Sequence, residues 1–456
     1  MFINSTRQSY LLLILLISGQ LLSSCGGGDS QDTNYTPEII VGNRVLAGTF
    51  NYYAINNDKF IVRYIYPIDL NADGIEEVIF AGFESAPNTP VNYTNTNIYI
   101  FGWNNQQLVD ITSQWLPGSD NQVEGVGDIA FGDFDNNGNI DVYLTGYSDM
   151  DHPLNAFALM SNGASFTKTA LGTATWEHGA TSADINNDGY DDVFVAGGIN
   201  PSYFYLGGDS GLTRYSNPSY IINTSGSGIA VADFLGTGNN SIIISDRSGE
   251  TTPQDTILYT VTLDTNAIPS TYVEHSKLPE PRIETLHSDL DSHDIRVRAF
   301  DFTQDGLDDA IVFSRPWNNP SGNEWEELSE MQFLQNNGNG QFEDVTNAVR
   351  VNYKKDSSPS YNPVFNDFNG DGRTDIFISD ATFSTAHDST SILLQTDTGT
   401  FVDTGRTDLS SKVAPAGGIA SMIKGPNGDF YLITEESKVT GGVLTSNVNY
   451  AKISWP

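Results

Sequence analysis

Apolar segments of about strand length recur along the chain, and each follows a polar, glycine-bearing loop. Two read Val193-Phe-Val-Ala196 and Ile376-Phe-Ile-Ser379, and Phe80, Leu144 and Val312 stand in others. Continuous β-branched and aromatic character bounded by Gly, Ser or Asp predicts buried strands. A second kind of segment precedes each loop and is rich in small residues: Val126-Gly-Asp-Ile-Ala-Phe-Gly132, Gly179-Ala-Thr-Ser-Ala183 and Ile229-Ala-Val-Ala232. Small side chains suit inner strands where several sheets converge on an axis. Hairpins complete the unit. Phe101-Gly-Trp-Asn-Asn-Gln-Gln-Leu-Val-Asp-Ile-Thr112 mirrors Leu334-Gln-Asn-Asn-Gly-Asn-Gly-Gln-Phe-Glu-Asp-Val-Thr346, with weaker versions at Met160–Phe166 and Leu394–Phe401. Four strands per repeat, and no amphipathic helical stretch, is the pattern of propeller blades.

The loops between the first two strands repeat in detail. They begin at Asp69, Asp133, Asp184, Asp233, Asp301 and Asp367, spaced 64, 51, 49, 68 and 66 residues apart. Oxygen side chains at positions 1, 3 and 5 of such a loop converge on one point. Glycine at position 6 permits the positive φ of a sharp turn, the carbonyl of position 7 turns inward, and an acid at position 9 closes the cage. Hard oxygen ligands in that number suit calcium. The expected ligand sets are Asp69, Asn71, Asp73, Ile75 and Glu77, then Asp133, Asp135, Asn137, Asn139 and Asp141. Next come Asp184, Asn186, Asp188, Tyr190 and Asp192, then Asp301, Thr303, Asp305, Leu307 and Asp309, and last Asp367, Asn369, Asp371, Arg373 and Asp375. Position 7 contributes its backbone carbonyl in each. The fourth loop has Leu235, Thr237 and Ser241 at ligand positions and should hold no metal. About five calcium ions are therefore expected. An EF-hand is excluded, because it needs an acid at position 12 between two helices, where this chain has apolar strand residues. Polar turns built from Asp, Asn and Gly are the simpler reading of one loop, but not of five with the same ligand spacing.

Six loops give six blades, and the end of the chain supplies another. Gly417–Lys424, Phe430–Thr434 and Tyr450–Ser454 read as strands joined by a metal-free Pro-Asn-Gly turn, and residues 38–56 can add an outer strand. The expected fold is an all-β, seven-bladed β-propeller over residues 38–456, its ring closed by strands from both termini.

Asp and Glu number 57 against 21 Lys and Arg, a formal charge of −36. No basic patch exists to neutralise phosphates, so nucleic acid is not an expected partner, and the excess charge favours a monomer. Residues 1–24 read as an export signal, with Arg7 ahead of the apolar run Leu11–Ile17. Leu22-Ser-Ser-Cys25 resembles a bacterial lipobox, which implies lipidation of Cys25 and attachment to the cell envelope, with outer-membrane sorting expected. Residues 25–37 then serve as a flexible tether.

The loops and the Asn-Gly…Phe-Glu-Asp-Val-Thr hairpins resemble FG-GAP/VCBS repeats, the family that includes the integrin α-subunit propeller. The resemblance covers residues 58–412 well and the last blade poorly. It implies a calcium-bearing seven-bladed propeller used for adhesion or ligand binding outside the cytoplasm. The calcium loops occupy one face, so ligand residues are expected on the other: Tyr147, His152, Trp176, His178, Arg247, His293, Arg315 and Trp317, with Glu177 and Tyr203 beside them. Aromatics mixed with Arg and His suit a glycan or a protein partner. No catalytic residues are assigned. The alternative is a polysaccharide lyase working from the same residues. Gly208-Asp-Ser-Gly211 resembles a protease nucleophile but falls in a hairpin turn without partners.

Overall fold

The computed structural model describes residues 39–53, 60–85, 96–147, 154–174, 177–197, 202–215, 226–246, 255–283, 292–316, 330–351, 363–379, 390–404, 409, 419–440 and 443–455. Seven antiparallel sheets follow one another along the chain, each a blade that starts at its innermost strand. Blade 1 runs Phe60–Ile68, Glu77–Ser85, Tyr99–Asn104 and Gln107–Asp110. Blade 2 is Ile129–Gly132, Asp141–Leu144, Leu154–Ser161 and Phe166–Ala174, and blade 3 is Glu177–Ala183, Asp192–Gly197, Tyr203–Leu206 and Thr213–Tyr215. Blade 4 is Gly226–Ala232, Ser241–Asp246, Ile257–Leu263 and Pro269–Lys277. Blade 5 is Ser292–Ala299, Ala310–Pro316, Glu330–Asn336 and Phe342–Asp344. Blade 6 is Val364–Asn366, Asp375–Ile378, Ser391–Gln395 and Phe401–Thr404, with Arg350–Val351 added in parallel outside.

Blade 7 closes the ring. Its strands Ile419–Lys424, Phe430–Thr440 and Val443–Ser454 are covered on the outside by Val45–Tyr53, in register from Val45 opposite Tyr450 to Tyr53 opposite Val443. Pairing an N-terminal strand with the last strand of the chain joins both ends in one blade. The last two strands of this blade extend further than the sequence pattern indicates.

The second strands are buried because each is sandwiched between neighbouring blades. Every residue of Asp192–Gly197 and of Asp375–Ile378 is buried. Each fully buried Val, Ile or Phe there contributes about 1.5–3 kcal/mol. The mirrored hairpins are also alike in bonding. Thr112 Oγ1 accepts the Ile100 N–H at 2.9 Å, and Thr346 Oγ1 accepts the Phe333 N–H at 2.8 Å. Asp110 and Asp344 accept the N–H of these threonines, both at 2.9 Å.

Hydrogen bonds join every adjacent pair of blades. In ring order they run from Val126 N to Gly82 O (2.9 Å), Glu177 N to Gly146 O (3.2 Å), Asn240 Nδ2 to Asp184 O (3.1 Å) and Asn336 Nδ2 to Phe234 O (2.8 Å). They continue from Gln395 Nε2 to Phe302 O (2.7 Å), Trp455 Nε1 to Phe368 O (2.6 Å) and Glu76 N to Lys424 O (2.8 Å). The recurring acceptor is the residue at position 2 of the acidic loop. Its side chain (Leu70, Phe134, Ile185, Phe234, Phe302 or Phe368) is buried in all six loops.

Ala130, Ala180 and Ala230 line the axis in blades 2, 3 and 4, but the larger Phe131 and Ile229 stand beside them, and blades 1 and 5 place Tyr66, Arg296 and Arg298 there. Arg296 is 5% exposed and spans the ring. It donates to Ser227 O at 3.2 Å and Gly127 O at 3.0 Å, and its Nε lies 3.5 Å from the buried Asp128. Asp128 also accepts from Tyr66 Oη (3.3 Å) and the Ala180 N–H (3.2 Å). This pair stoppers the channel. Gly228 lets it pass, since a Cβ there would lie 2.8 Å from the Arg296 Cα.

Candidate functional site

Each acidic loop is built by its own first aspartate, whose two oxygens accept the backbone N–H groups of positions 5 and 6. Asp69 takes Asp73 N (3.1 Å) and Gly74 N (2.8 Å), and Asp367 takes Asp371 N (3.0 Å) and Gly372 N (2.8 Å). The pattern repeats at Asp133, Asp184 and Asp301. The position-5 side chain then accepts the position-7 N–H, as in Asp305 to Leu307 at 2.9 Å. These bonds fix the position-7 peptide within the loop. Position 6 is left-handed as expected, with Gly74 at φ 83°. Position 4 is left-handed too, at Ala72 (56°), Asn136 (55°), Asn187 (58°) and Gln304 (59°). The sequence gives little sign of that, because Ala and Gln rarely adopt it.

The donor set fits a hard divalent cation. Carboxylate oxygens of Asp133, Asp135 and Asp141 lie within 4.8 Å of one another. Burial pushes the position-9 acids up, to about 7 for Glu77, Asp141, Asp192 and Asp375 and about 6 for Asp309, and the neighbouring loop carboxylates add to the shift. A bound cation would reverse that repulsion. In the sixth loop Arg373 forms an ion pair with Asp371 at 2.5 Å, so a cation there competes with a resident guanidinium.

Position 9 does more than close a cage. Asp141 accepts Phe134 N (2.9 Å) with one oxygen and Ser161 N (2.6 Å) with the other, tying its loop to the third strand of the blade. Asp192, Asp309 and Asp375 reach Gly207, Asn336 and Gln395 in the same way. The fourth loop has Ser241 here, and its hydroxyl donates to Ala232 O instead. Without that anchor a cavity of about 340 Å³ lies between this loop and the third strand of blade 4, lined by Thr237, Asn240, Thr260 and Thr262.

Position 8 was not among the expected functional positions, yet it clasps neighbouring blades. Asp191 accepts Asp133 N at 2.9 Å and Glu76 accepts Lys424 N at 2.6 Å. Asp308 takes the Asp233 N–H in the same manner. Burial pushes all three carboxyls up.

On the opposite face, Tyr147 and His178 come together with ring centres 5.3 Å apart, and His178 Nδ1 lies 3.5 Å from Ser227 Oγ. The strand register sets His293 across from Arg315. His152, Trp176, Arg247, Trp317 and the Cys25 segment lie outside the described residues. Glu177 and Tyr203 are not surface residues as expected. Glu177 is fully buried, accepting Gly146 N at 2.7 Å and the hydroxyls of Tyr143 (3.0 Å) and Tyr203. Burial pushes it up to about 7, and Arg214 stacks 4.3 Å over the Tyr203 ring. This node holds blades 2 and 3 together. Gly208–Gly211 forms a hairpin turn closed by Gly211 N to Gly208 O at 2.7 Å.

A profile of the FG-GAP-like repeat family matches residues 69–144, 133–195 and 301–378, the segments that contain the five complete loops. Residues 69–195 and 301–378 are FG-GAP-like repeats. The unmatched stretch includes the fourth loop, whose ligand positions are lost. No curated protein matches the sequence at a significant level. Among solved structures, this propeller is similar to "YCF48 bound to D1 peptide" at 8% identity and TM-score 0.43, over 91% of this chain and 96% of that one. It is also similar to the Dos1 propeller, at 13% identity and TM-score 0.41 over 90% and 95% of the two chains. The V. cholerae biofilm matrix protein Bap1 matches at 12% and 0.36, over 91% of this chain and 70% of its own. Likenesses at this level carry no argument about what the propeller binds.

Proposed function

We propose that this chain is an exported, lipid-anchored binding protein of the bacterial envelope. In this reading calcium secures five of its loops, and the opposite face takes a protein or glycan ligand. The observation that carries the binding face is the Tyr147–His178 pair, an aromatic ring and an imidazole in contact beside the inner-strand ends of blades 2 and 3. Such a pair, held by a rigid scaffold, suits stacking on a sugar or packing against a protein side chain. The buried Glu177 node beneath it fixes the strand that carries His178. Glu177 is committed to the Gly146 N–H and to the Tyr143 and Tyr203 hydroxyls, which favours recognition over turnover.

A glycan and envelope-protein array probed with the calcium-loaded protein tests this. Binding that falls at least tenfold in both Tyr147→Ala and His178→Ala supports it. Binding unaffected by either variant overturns the assignment of the face. Release of unsaturated uronate from an acidic polysaccharide would instead make the protein a lyase.

A further inference from the structure

Position 9 of the fourth loop is Ser241, where the other five loops carry Asp or Glu. In blades 2, 3, 5 and 6 that acid accepts one particular N–H of the third strand, from Ser161, Gly207, Asn336 or Gln395. Each donor lies two residues beyond the partner of position 10: Leu159 faces Val142, Tyr205 faces Val193, Leu334 faces Ala310 and Leu393 faces Ile376. Blade 4 keeps this register, with Tyr259 opposite Ile242, so the corresponding donor is the Val261 N–H. Ser241 has no carboxylate to offer it, and the serine hydroxyl donates to Ala232 O at 3.2 Å. Both Ser241 and Val261 line the cavity of about 340 Å³ between the fourth loop and the third strand. The volume falls in the range of small-ligand sites.

We propose that this cavity binds a neutral ligand through an amide, whose carbonyl oxygen stands before the Val261 N–H where the other blades place a carboxylate. None of the described lining residues is charged. A carboxylate ligand would meet no cation in that lining and would approach a chain of charge −36, and a cationic ligand would meet no carboxylate. Burying a charge without a partner costs far more than burying a hydrogen-bonded amide. The amide N–H finds acceptors in the hydroxyls of Thr260 and Thr262, which strand alternation sets on one side. Thr260 Oγ1 donates its own proton to Val273 O at 3.3 Å, so its lone pairs remain to accept. Ile185 and Leu235 supply apolar wall for the rest of the ligand. The same chemistry comes from an acetamido sugar or from a peptide. This site lies among the acidic loops, apart from the Tyr147–His178 face.

Isothermal titration of the full chain in calcium tests the site and separates the sources. The probes are N-acetylglucosamine and N-acetyl-alaninamide, with glucose as the control without an amide and acetate as the charged one. At least one amide is expected to bind, at least tenfold tighter than either control, and the amide that binds names the source. Ser241→Asp puts into the cavity the side chain that four other blades carry, and should weaken the amide at least tenfold with no fall in melting temperature. Thr262→Val, which removes an exposed hydroxyl and keeps its shape, should weaken it about threefold or more. The idea is overturned if neither amide binds, if glucose or acetate binds as well as the amides, or if Ser241→Asp binds as the parent does. Should Ser241→Asp fail to fold, unchanged binding in Thr262→Val overturns it. Loss of amide binding in His178→Ala would place the ligand on the other face and equally overturn it. Failure here leaves the proposed recognition face untouched, since that face is tested by different variants.

Discussion

Asp301→Ala and Asp233→Ala form a matched pair that tests the proposed calcium sites apart from the turn. Asp301 accepts Asp305 N at 3.2 Å and Gly306 N at 3.0 Å, while Asp233 accepts Thr237 N at 2.9 Å and Gly238 N at 2.6 Å. A threonine hydroxyl lies near each as well, at 3.4 and 3.5 Å. Both substitutions thus delete the same backbone bonds, about 2 kcal/mol at roughly 1 kcal/mol each. Only the Asp301 loop has the remaining ligands Thr303, Asp305 and Asp309. If its calcium affinity is that of extracellular modules, with Kd on the order of 10⁻⁴–10⁻³ M, about 5 mM calcium adds roughly 1–2 kcal/mol at that site.

Equilibrium urea unfolding, followed by the fluorescence of buried Trp115, gives the two numbers in calcium and in EDTA. In calcium, Asp301→Ala should cost about 3–4 kcal/mol and Asp233→Ala about 2. In EDTA the order should close or invert. Asp309 is pushed up to about 6 by burial and by Asp301, so removing Asp301 relieves repulsion that the metal no longer offsets. A difference between the variants that is the same in calcium and in EDTA would refute the metal assignment.

Three further outcomes follow from the fold. Arg296→Met takes the hydrogen-bonding cation from the buried Asp128 and should cost about 3–5 kcal/mol in urea unfolding, with partial recovery in the Arg296→Met/Asp128→Asn double variant; no recovery would mean that the ion pair is not the source. Glu177 has a folded pKa of about 7, above the ordinary 4.5, so the folded state holds its proton more tightly. Its contribution to stability therefore rises as pH falls from about 7 toward 4.5, by about 3 kcal/mol in all, and Glu177→Gln should flatten the stability–pH curve across that window. Gly179→Ala places a Cβ 2.7 Å from Ser227 O and should cost about 1–3 kcal/mol, whereas Gly208→Ala meets nothing within 4 Å and should be near neutral; equal melting temperatures would contradict the close approach of blades 3 and 4.

The sequence carries the local half of this structure. Val193-Phe-Val-Ala196 reads as a buried strand because a blade packed on both faces needs continuous apolar character, and Gly74 reads as a turn because its φ is positive. Six blades follow from the six loops, and the seventh from the strand pattern near the end of the chain. What cannot be read is whatever depends on partners far along the chain. Arg296 meets Gly127 across 169 residues, and nothing near either marks the contact except an arginine in an axial strand where small residues were expected. Glu177 lies next to Trp176 and His178 and so passes for a surface residue. Its burial is set by Tyr143 and Tyr203, which belong to other strands. The position-8 acids Asp191, Asp308 and Glu76 stand out of phase with the odd-numbered cage positions, so the ligand pattern does not mark them.

The fourth loop separates shape from charge. Asp233 still holds the N–H groups of Thr237 and Gly238, and Gly236 and Gly238 keep φ values of 63° and 79°. The turn therefore forms without acids at positions 3, 5 and 9. In the second loop three carboxylates converge within 4.8 Å, a separation at which each pair of full charges repels by roughly 3 kcal/mol at an effective dielectric constant of 20. A turn that forms without those charges has no need of them. Position 9 is the weaker pointer to a metal, since Asp141 spends both oxygens on backbone N–H groups. Asp135, two residues into the loop, bonds only Asn137 N at 3.2 Å and otherwise adds repulsion. Asp135→Asn should therefore stabilise the protein in EDTA and destabilise it in calcium. Stabilisation in both conditions would leave the acidic loop without a cation to explain it.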